Sequence, residues 1–243
     1  SLNNHQNASV ETDAYTLKMT WDVGPGVITS TTGYRDNVEF RRAEFDASSV
    51  DFFALKFDQD YDQFSQELNF ASTFSETFEF VAGVYYWDSE YSSQSESIGE
   101  VFIAGLQSLQ PPGPFPAGTT SFLRQSQKTE SKAAYFQGDW NITDALTATL
   151  GVRYTTEEKD FKGQTSEYVS ADGVILVAGE NAAASDEWSE TTPKLGLSYQ
   201  FSDDLFLFTT YSQGFKSGGF FGRNQTVAAL TTSYDPELVD TFE

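Results

Sequence analysis

The stretch YTLKMTWDV at 15–23 alternates without interruption: Tyr15, Leu17, Met19, Trp21 and Val23 fall on one side, and Thr16, Lys18, Thr20 and Asp22 on the other. Successive side chains of a strand point to opposite faces, so this pattern predicts a strand with one wholly apolar face. LTATLGVRY repeats it, with Leu146, Ala148, Leu150, Val152 and Tyr154 opposing Thr147, Thr149, Gly151 and Arg153. So does PKLGLSYQF, where Pro193, Leu195, Leu197, Tyr199 and Phe201 oppose Lys194, Gly196, Ser198 and Gln200. Each apolar face runs for nine residues without a charge. A tilted strand needs about 9–11 residues to cross a bilayer, whereas soluble strands average about 5–6. A soluble sandwich alternates too, so the period alone does not choose between them.

The connections do. SETF at Ser75, TDAL at Thr143 and SDDL at Ser202 share a small hydroxyl, an acid and an apolar strand starter, and GPG at 24–26 is a fourth turn signal. Ser, Thr and Asp bond nearby backbone amides and suit tight antiparallel turns. Between these turns lie long polar segments at 41–61, 92–128, 162–187 and 217–234. Short turns at one edge and long loops at the other are the asymmetry of an outer-membrane barrel. The expected strands are 14–23, 27–37, 64–72, 77–90, 132–140, 145–161, 191–201 and 205–215, with a ninth starting after Phe242. The fold class is therefore all-β, an antiparallel transmembrane β-barrel segment with short periplasmic turns and long extracellular loops. Tyr85, Tyr86, Trp87, Trp140, Tyr154, Tyr199 and Tyr211 collect near strand ends, where amphipathic rings favour the headgroup level.

Composition closes off other classes. With 36 acidic against 14 basic residues the net charge is -22, which repels nucleic acid. There is no cysteine, and His5 is the single histidine, so thiolate and zinc sites and a Ser-His triad lack material. No run of 18 apolar residues marks a membrane helix. FDQDYDQ at 57–63 spaces Asp58, Asp60 and Asp62 alternately but lacks the glycine and closing glutamate of a calcium loop, so it is read as a solvated loop and no metal site is assigned.

In LFLFTTYSQGFKSGGF, Leu205, Leu207, Thr209, Tyr211 and Phe215 take the outward face. Thr210, Ser212, Gly214 and Lys216 look inward, with Phe206 and Phe208 below them. Gly218 and Gly219 follow, providing either backbone angles closed to other residues or close approach of another backbone. Nothing after Phe220 is helical in pattern, which removes a phosphate loop.

The ordered set of YSQGFKSGGF, YDPELVDTFE, TPKLGLSYQFSDDLFLF, YFQGDWNITDALTATLGVRYTTEEKDF, FSQELNFASTFSETFEFVAGVYYW and VITSTTGYRD resembles the barrel of TonB-dependent receptors over most of the chain. The resemblance implies a plugged barrel of roughly 22 strands in the Gram-negative outer membrane. Residues 1–243 then read as a middle slice of that barrel, with the plug, the energy-coupling box and the closing strand outside it. It further implies import of a scarce solute, such as a ferric siderophore, vitamin B12 or an oligosaccharide, driven by the TonB complex acting on the plug. Its partners would be outer-membrane lipid, that complex and the solute, with no cofactor and no covalent chemistry. Phe115, Arg124, Arg223 and Asn224 are candidate loop contacts, because rings and forked donors suit sugars and carboxylate-rich chelators. Arg153, Lys194, Phe206, Phe208 and Lys216 are assigned to the lumen or plug side. Two phenylalanines on a lumen wall call for a packed plug rather than water.

Two other readings stay open on the residues. A self-contained eight-stranded barrel with a structural or adhesive role matches the strand count. A secreted carbohydrate-binding or hydrolytic β-domain would use a carboxylate pair, but Glu157 and Glu158 are adjacent and must face opposite sides.

Overall fold

The computed structural model describes residues 7–44, 54–72, 75–98, 115–116 and 118–243. Its long strands are β1 (Asn7–Asp22), β2 (Gly26–Glu44), β3 (Ala54–Ser72), β4 (Phe78–Ile98), β5 (Thr120–Asn141) and β6 (Leu146–Gln164). After a small hairpin of β7 (Glu167–Val169) and β8 (Ile175–Val177) come β9 (Asn181–Ser202) and β10 (Leu205–Lys216). The pair β11 (Gly219–Phe220) and β12 (Ser233–Tyr234) flanks a one-turn helix, α1 (Val227–Leu230), before β13 (Glu237–Phe242). The main sheet is antiparallel and ordered β1-β2-β3-β4-β5-β6-β9-β10-β13. No β1–β13 pairing closes it among the described residues, so a self-contained small barrel is not what this sheet forms.

Three features correct the sequence reading. The ninth strand begins at Glu237 and pairs with β10, rather than starting after Phe242. The described residues of the segments 41–61, 92–128 and 162–187 are in large part strand: β3 and β4 stay paired to Ala54↔Ile98, and β6 and β9 to Gln164↔Asn181. The aspartates Asp58, Asp60 and Asp62 accordingly lie on β3, not in a loop. Residues 45–53, 99–114 and 117 of the expected loops fall outside the described residues.

The short turns are built as their residues require. Ser75 Oγ accepts the amides of Thr77 and Phe78 at 3.2 and 3.3 Å, and Thr143 Oγ1 accepts those of Ala145 and Leu146 at 3.2 and 3.0 Å. One hydroxyl thus satisfies two amides in each turn. Between β1 and β2, Asp22 Oδ1 accepts the Gly24 amide at 2.9 Å, and Gly24 holds φ at 86°, a region that favours glycine.

Register then carries residue types straight across the sheet. Val84, Ala134 and Tyr154 stand in one cross-strand row, Phe136, Val152 and Pro193 in the next, and Leu150, Leu195 and Tyr211 in another. This first face leaves Leu150 59%, Val84 54% and Leu207 51% exposed. A water-facing sheet does not carry a continuous apolar surface of this kind, whereas a lipid-facing one must. Beyond the row of Tyr15, Tyr34 and Phe64 the same face turns acidic, with Asp36 opposite Asp62 and Asp62 opposite Glu90.

Candidate ligand site

The second face of the sheet is polar and densely bonded. Tyr135 of β5 reaches past β4 to donate to Glu67 of β3 at 2.6 Å. It can do so because Gly83 of β4 lies beneath, where a Cβ would sit 2.6 Å from the tyrosine hydroxyl. Lys194 donates to Gln137 at 3.1 Å.

Above this wall the 217–235 segment folds back onto the second face. Phe220 stacks on Phe161 of β6 with centroids 5.6 Å apart and meets the edge of Trp188 of β9 at 6.3 Å. Leu230 of α1 is fully buried beside Phe161 and Ala182, and this is the apolar cluster of the described residues. Polar ties frame it. Lys159 donates to Ser217 Oγ at 2.8 Å and to the Gly218 carbonyl at 2.7 Å, and pairs with Glu157 at 3.1 Å. Ser217 in turn bonds Glu157, and Ser233 donates to Asp186 at 2.6 Å.

The glycines of the stretch are now accounted for. Neither Gly218 nor Gly219 has a left-handed φ, so of the two roles open to them the structure selects close approach. A Cβ on Gly218 would run into the Tyr234 carbonyl and the Trp188 ring, and one on Gly219 would lie 2.6 Å from Tyr234 Oη.

Between segment and wall lies a cavity of about 740 Å³ lined by Tyr91, Gln125, Phe161, Phe221, Arg223 and Tyr234 among others. Gln125 donates to Tyr91 Oη at 3.2 Å, and Phe221 packs against Tyr234 at 5.1 Å. Aromatic rings with a few convergent polar groups are the usual furnishing of a small-molecule site.

Of the loop candidates, Arg223 lines this cavity with its guanidinium 5.5 Å from the Phe57 ring, and Asn224 follows it, accepting from the Gln225 amide at 2.9 Å. Phe115 lies elsewhere, stacked on Tyr168 at 4.6 Å. Arg124 stands on the first face of β5, paired with Glu167 at 3.1 Å and bonded to Gln94 at 2.9 Å. Arg153, Lys194, Phe206, Phe208 and Lys216 all share the second face with Phe161. Phe206 and Phe208 stack on each other at 6.2 Å and are more than half exposed. Glu157 and Glu158 point to opposite faces, Glu157 toward Ser217 and Glu158 opposite Glu130.

Sequence reasoning missed Phe161, Trp188, Lys159 and Tyr91. The signal was available: Phe161 and Trp188 are aromatics at positions whose parity belongs to the polar face.

A family model described as TonB dependent receptor-like, beta-barrel matches residues 1–243. The chain belongs to that family. Among solved structures, this TonB-dependent receptor barrel resembles the ferric yersiniabactin uptake receptor FyuA from Yersinia pestis, with a TM-score of 0.74, 18% identity, and coverage of 98% of this chain and 33% of that one. It also resembles the siderophore receptor PiuA from Acinetobacter baumannii, with a TM-score of 0.63, 16% identity, and coverage of 98% and 37%. The closed form of the ferric-catecholate import receptor Fiu from E. coli K12 follows, with a TM-score of 0.61, 11% identity, and coverage of 87% and 34%. The TonB-dependent receptor barrel thus spans about a third of the length of the first of these. Comparison with curated proteins gives no match. At these identities the solved structures establish the fold, and the neighbours are described as uptake, siderophore and import receptors.

Proposed function

We propose that this chain is wall and outer loops of a Gram-negative outer-membrane receptor that imports a scarce, bulky solute with energy delivered through TonB. The first face would lie against lipid and the second would line the lumen. The observation that carries the reading is the cavity of about 740 Å³ on the second face, walled by a segment that folds inward from the end of β10. An aromatic-lined recess on the side away from lipid is where a solute can be held before passage. Family membership and the siderophore-receptor neighbours favour a ferric siderophore as the solute. The mechanism needs binding and displacement only, with no bond made or broken.

Uptake decides the matter. The protein, expressed at its natural length in a receptor-deficient Gram-negative host, should support accumulation of one solute from a panel of radiolabelled ferric siderophores, cobalamin and oligosaccharides. A proton uncoupler should abolish that accumulation. Absence of uptake of every member, or uptake indifferent to the uncoupler, would remove the proposal.

A further inference from the structure

Arg153 of β6 is held unusually. Its guanidinium lies 5.6 Å from the ring centroid of Tyr85 on β4 and 5.8 Å from that of Tyr135 on β5, while its Nε donates to Thr155 at 3.1 Å. Rings and a hydroxyl orient it, and no carboxylate pairs with it among the described residues. The neighbouring cation Lys194 has only the amide oxygen of Gln137. In register Arg153 faces Thr192, with Lys194 on one diagonal and Glu190 on the other, positions that lie about 7–8 Å apart along the backbone.

Several acids of this wall are engaged. Glu67 accepts from Tyr135, Asp139 from Thr149 at 2.5 Å, Glu190 from the Thr191 amide at 3.0 Å, and Glu157 holds Lys159 and Ser217. Lys216, further up the same wall, is matched by Glu237 at 3.2 Å. In a chain with net charge -22, neither Arg153 nor Lys194 forms an ion pair among the described residues, and Arg153 is a fork held over two rings. A guanidinium held over two rings keeps N–H groups free, and a guanidinium fork can take a carboxylate through two parallel hydrogen bonds. A cavity of about 520 Å³, lined by Arg153, Glu157, Lys159, Gln213, Lys216 and Tyr234, opens directly on it.

We infer that Arg153 and Lys194 form a carboxylate-recognising station on the lumen wall, and that the solute passing it carries at least two carboxylates. This rests on the import reading above. The carboxylates belong to the solute rather than to another stretch of the polypeptide, and the test separates these sources.

The probe is radiolabelled citrate, measured by equilibrium dialysis against the full-length protein in detergent, with neutral raffinose alongside. Arg153→Gln should weaken citrate binding about tenfold or more and Lys194→Gln should weaken it as well, with raffinose unaffected. Arg153→Lys should restore only part, because it returns the charge without the fork. The melting temperature without citrate should be unchanged in all three. No citrate binding by the unaltered protein, or binding indifferent to Arg153→Gln, would overturn the station. A fall in melting temperature with citrate binding intact would also overturn it, assigning the carboxylate to the polypeptide. Uptake of a solute that survives Arg153→Gln would refute this inference and leave the import reading standing.

Discussion

The ring of Phe220 lies on that of Phe161 with centroids 5.6 Å apart and planes 23° from parallel. Stacked pairs contribute about 0.5–1.5 kcal/mol beyond the area they bury. Phe220→Ala should therefore detach the 217–235 segment without unfolding the sheet. Limited proteolysis checks this: cleavage within the segment should accelerate about tenfold or more, an opening cost lower by about 1.4 kcal/mol, while the long strands resist as before.

Lys159 ties the same segment by its polar end, bonding Ser217 and the Gly218 carbonyl while pairing with Glu157. Its side chain is only 14% exposed, so these bonds are partly shielded from water. Lys159→Met keeps the length and removes the charge, leaving Glu157 without its cation. The expected local loss is about 1.5–3 kcal/mol, read as faster amide hydrogen exchange at 217–219 with exchange in β4 and β5 unchanged.

Two glycines should respond to the same substitution for different reasons. Gly24 has a left-handed φ of 86° with nothing within 4 Å of an added Cβ, so Gly24→Ala should cost about 1–2 kcal/mol from backbone strain alone. Gly218 has an ordinary φ but no room, and Gly218→Ala should break the β11–β12 pairing and expose Trp188. Thermal melting gives the first. A red shift of tryptophan emission on Gly218→Ala, against none on Gly24→Ala, gives the second.

On the first face, Asp62 stands between Asp36 and Glu90 in direct register. Like charges directly opposite destabilise a sheet by about 0.2–1 kcal/mol per pair. Asp62→Asn should raise stability by up to about 1 kcal/mol, and the gain should shrink at high salt. Urea titration at two ionic strengths measures it.

How far the fold was legible follows from the same rows. Where Leu146 to Tyr154 alternate apolar and polar, the two faces meet lipid and polar surroundings, and period two records the difference. Past Trp87 the strand continues as DSEYSSQSES, polar on both faces, so the pattern vanishes although the backbone ladder does not. A period-two pattern therefore does not distinguish such an extension from a loop. The site was harder. The parity of Arg153, Lys194, Phe206, Phe208 and Lys216 could be read directly, but that Phe220 would return to Phe161 across 59 residues depends on tertiary contact that no local period encodes.

Which face meets lipid is directly measurable. Single cysteines at Leu150 and Leu195 on the first face, and at Thr149 and Ser198 on the second, with any cysteine outside these residues replaced, can be spin-labelled in the full-length protein in bilayers. Collisions with oxygen should dominate at the first pair and collisions with a water-soluble nickel chelate at the second, alternating with period two. Equal access of the nickel chelate to both faces would contradict the membrane-embedded barrel.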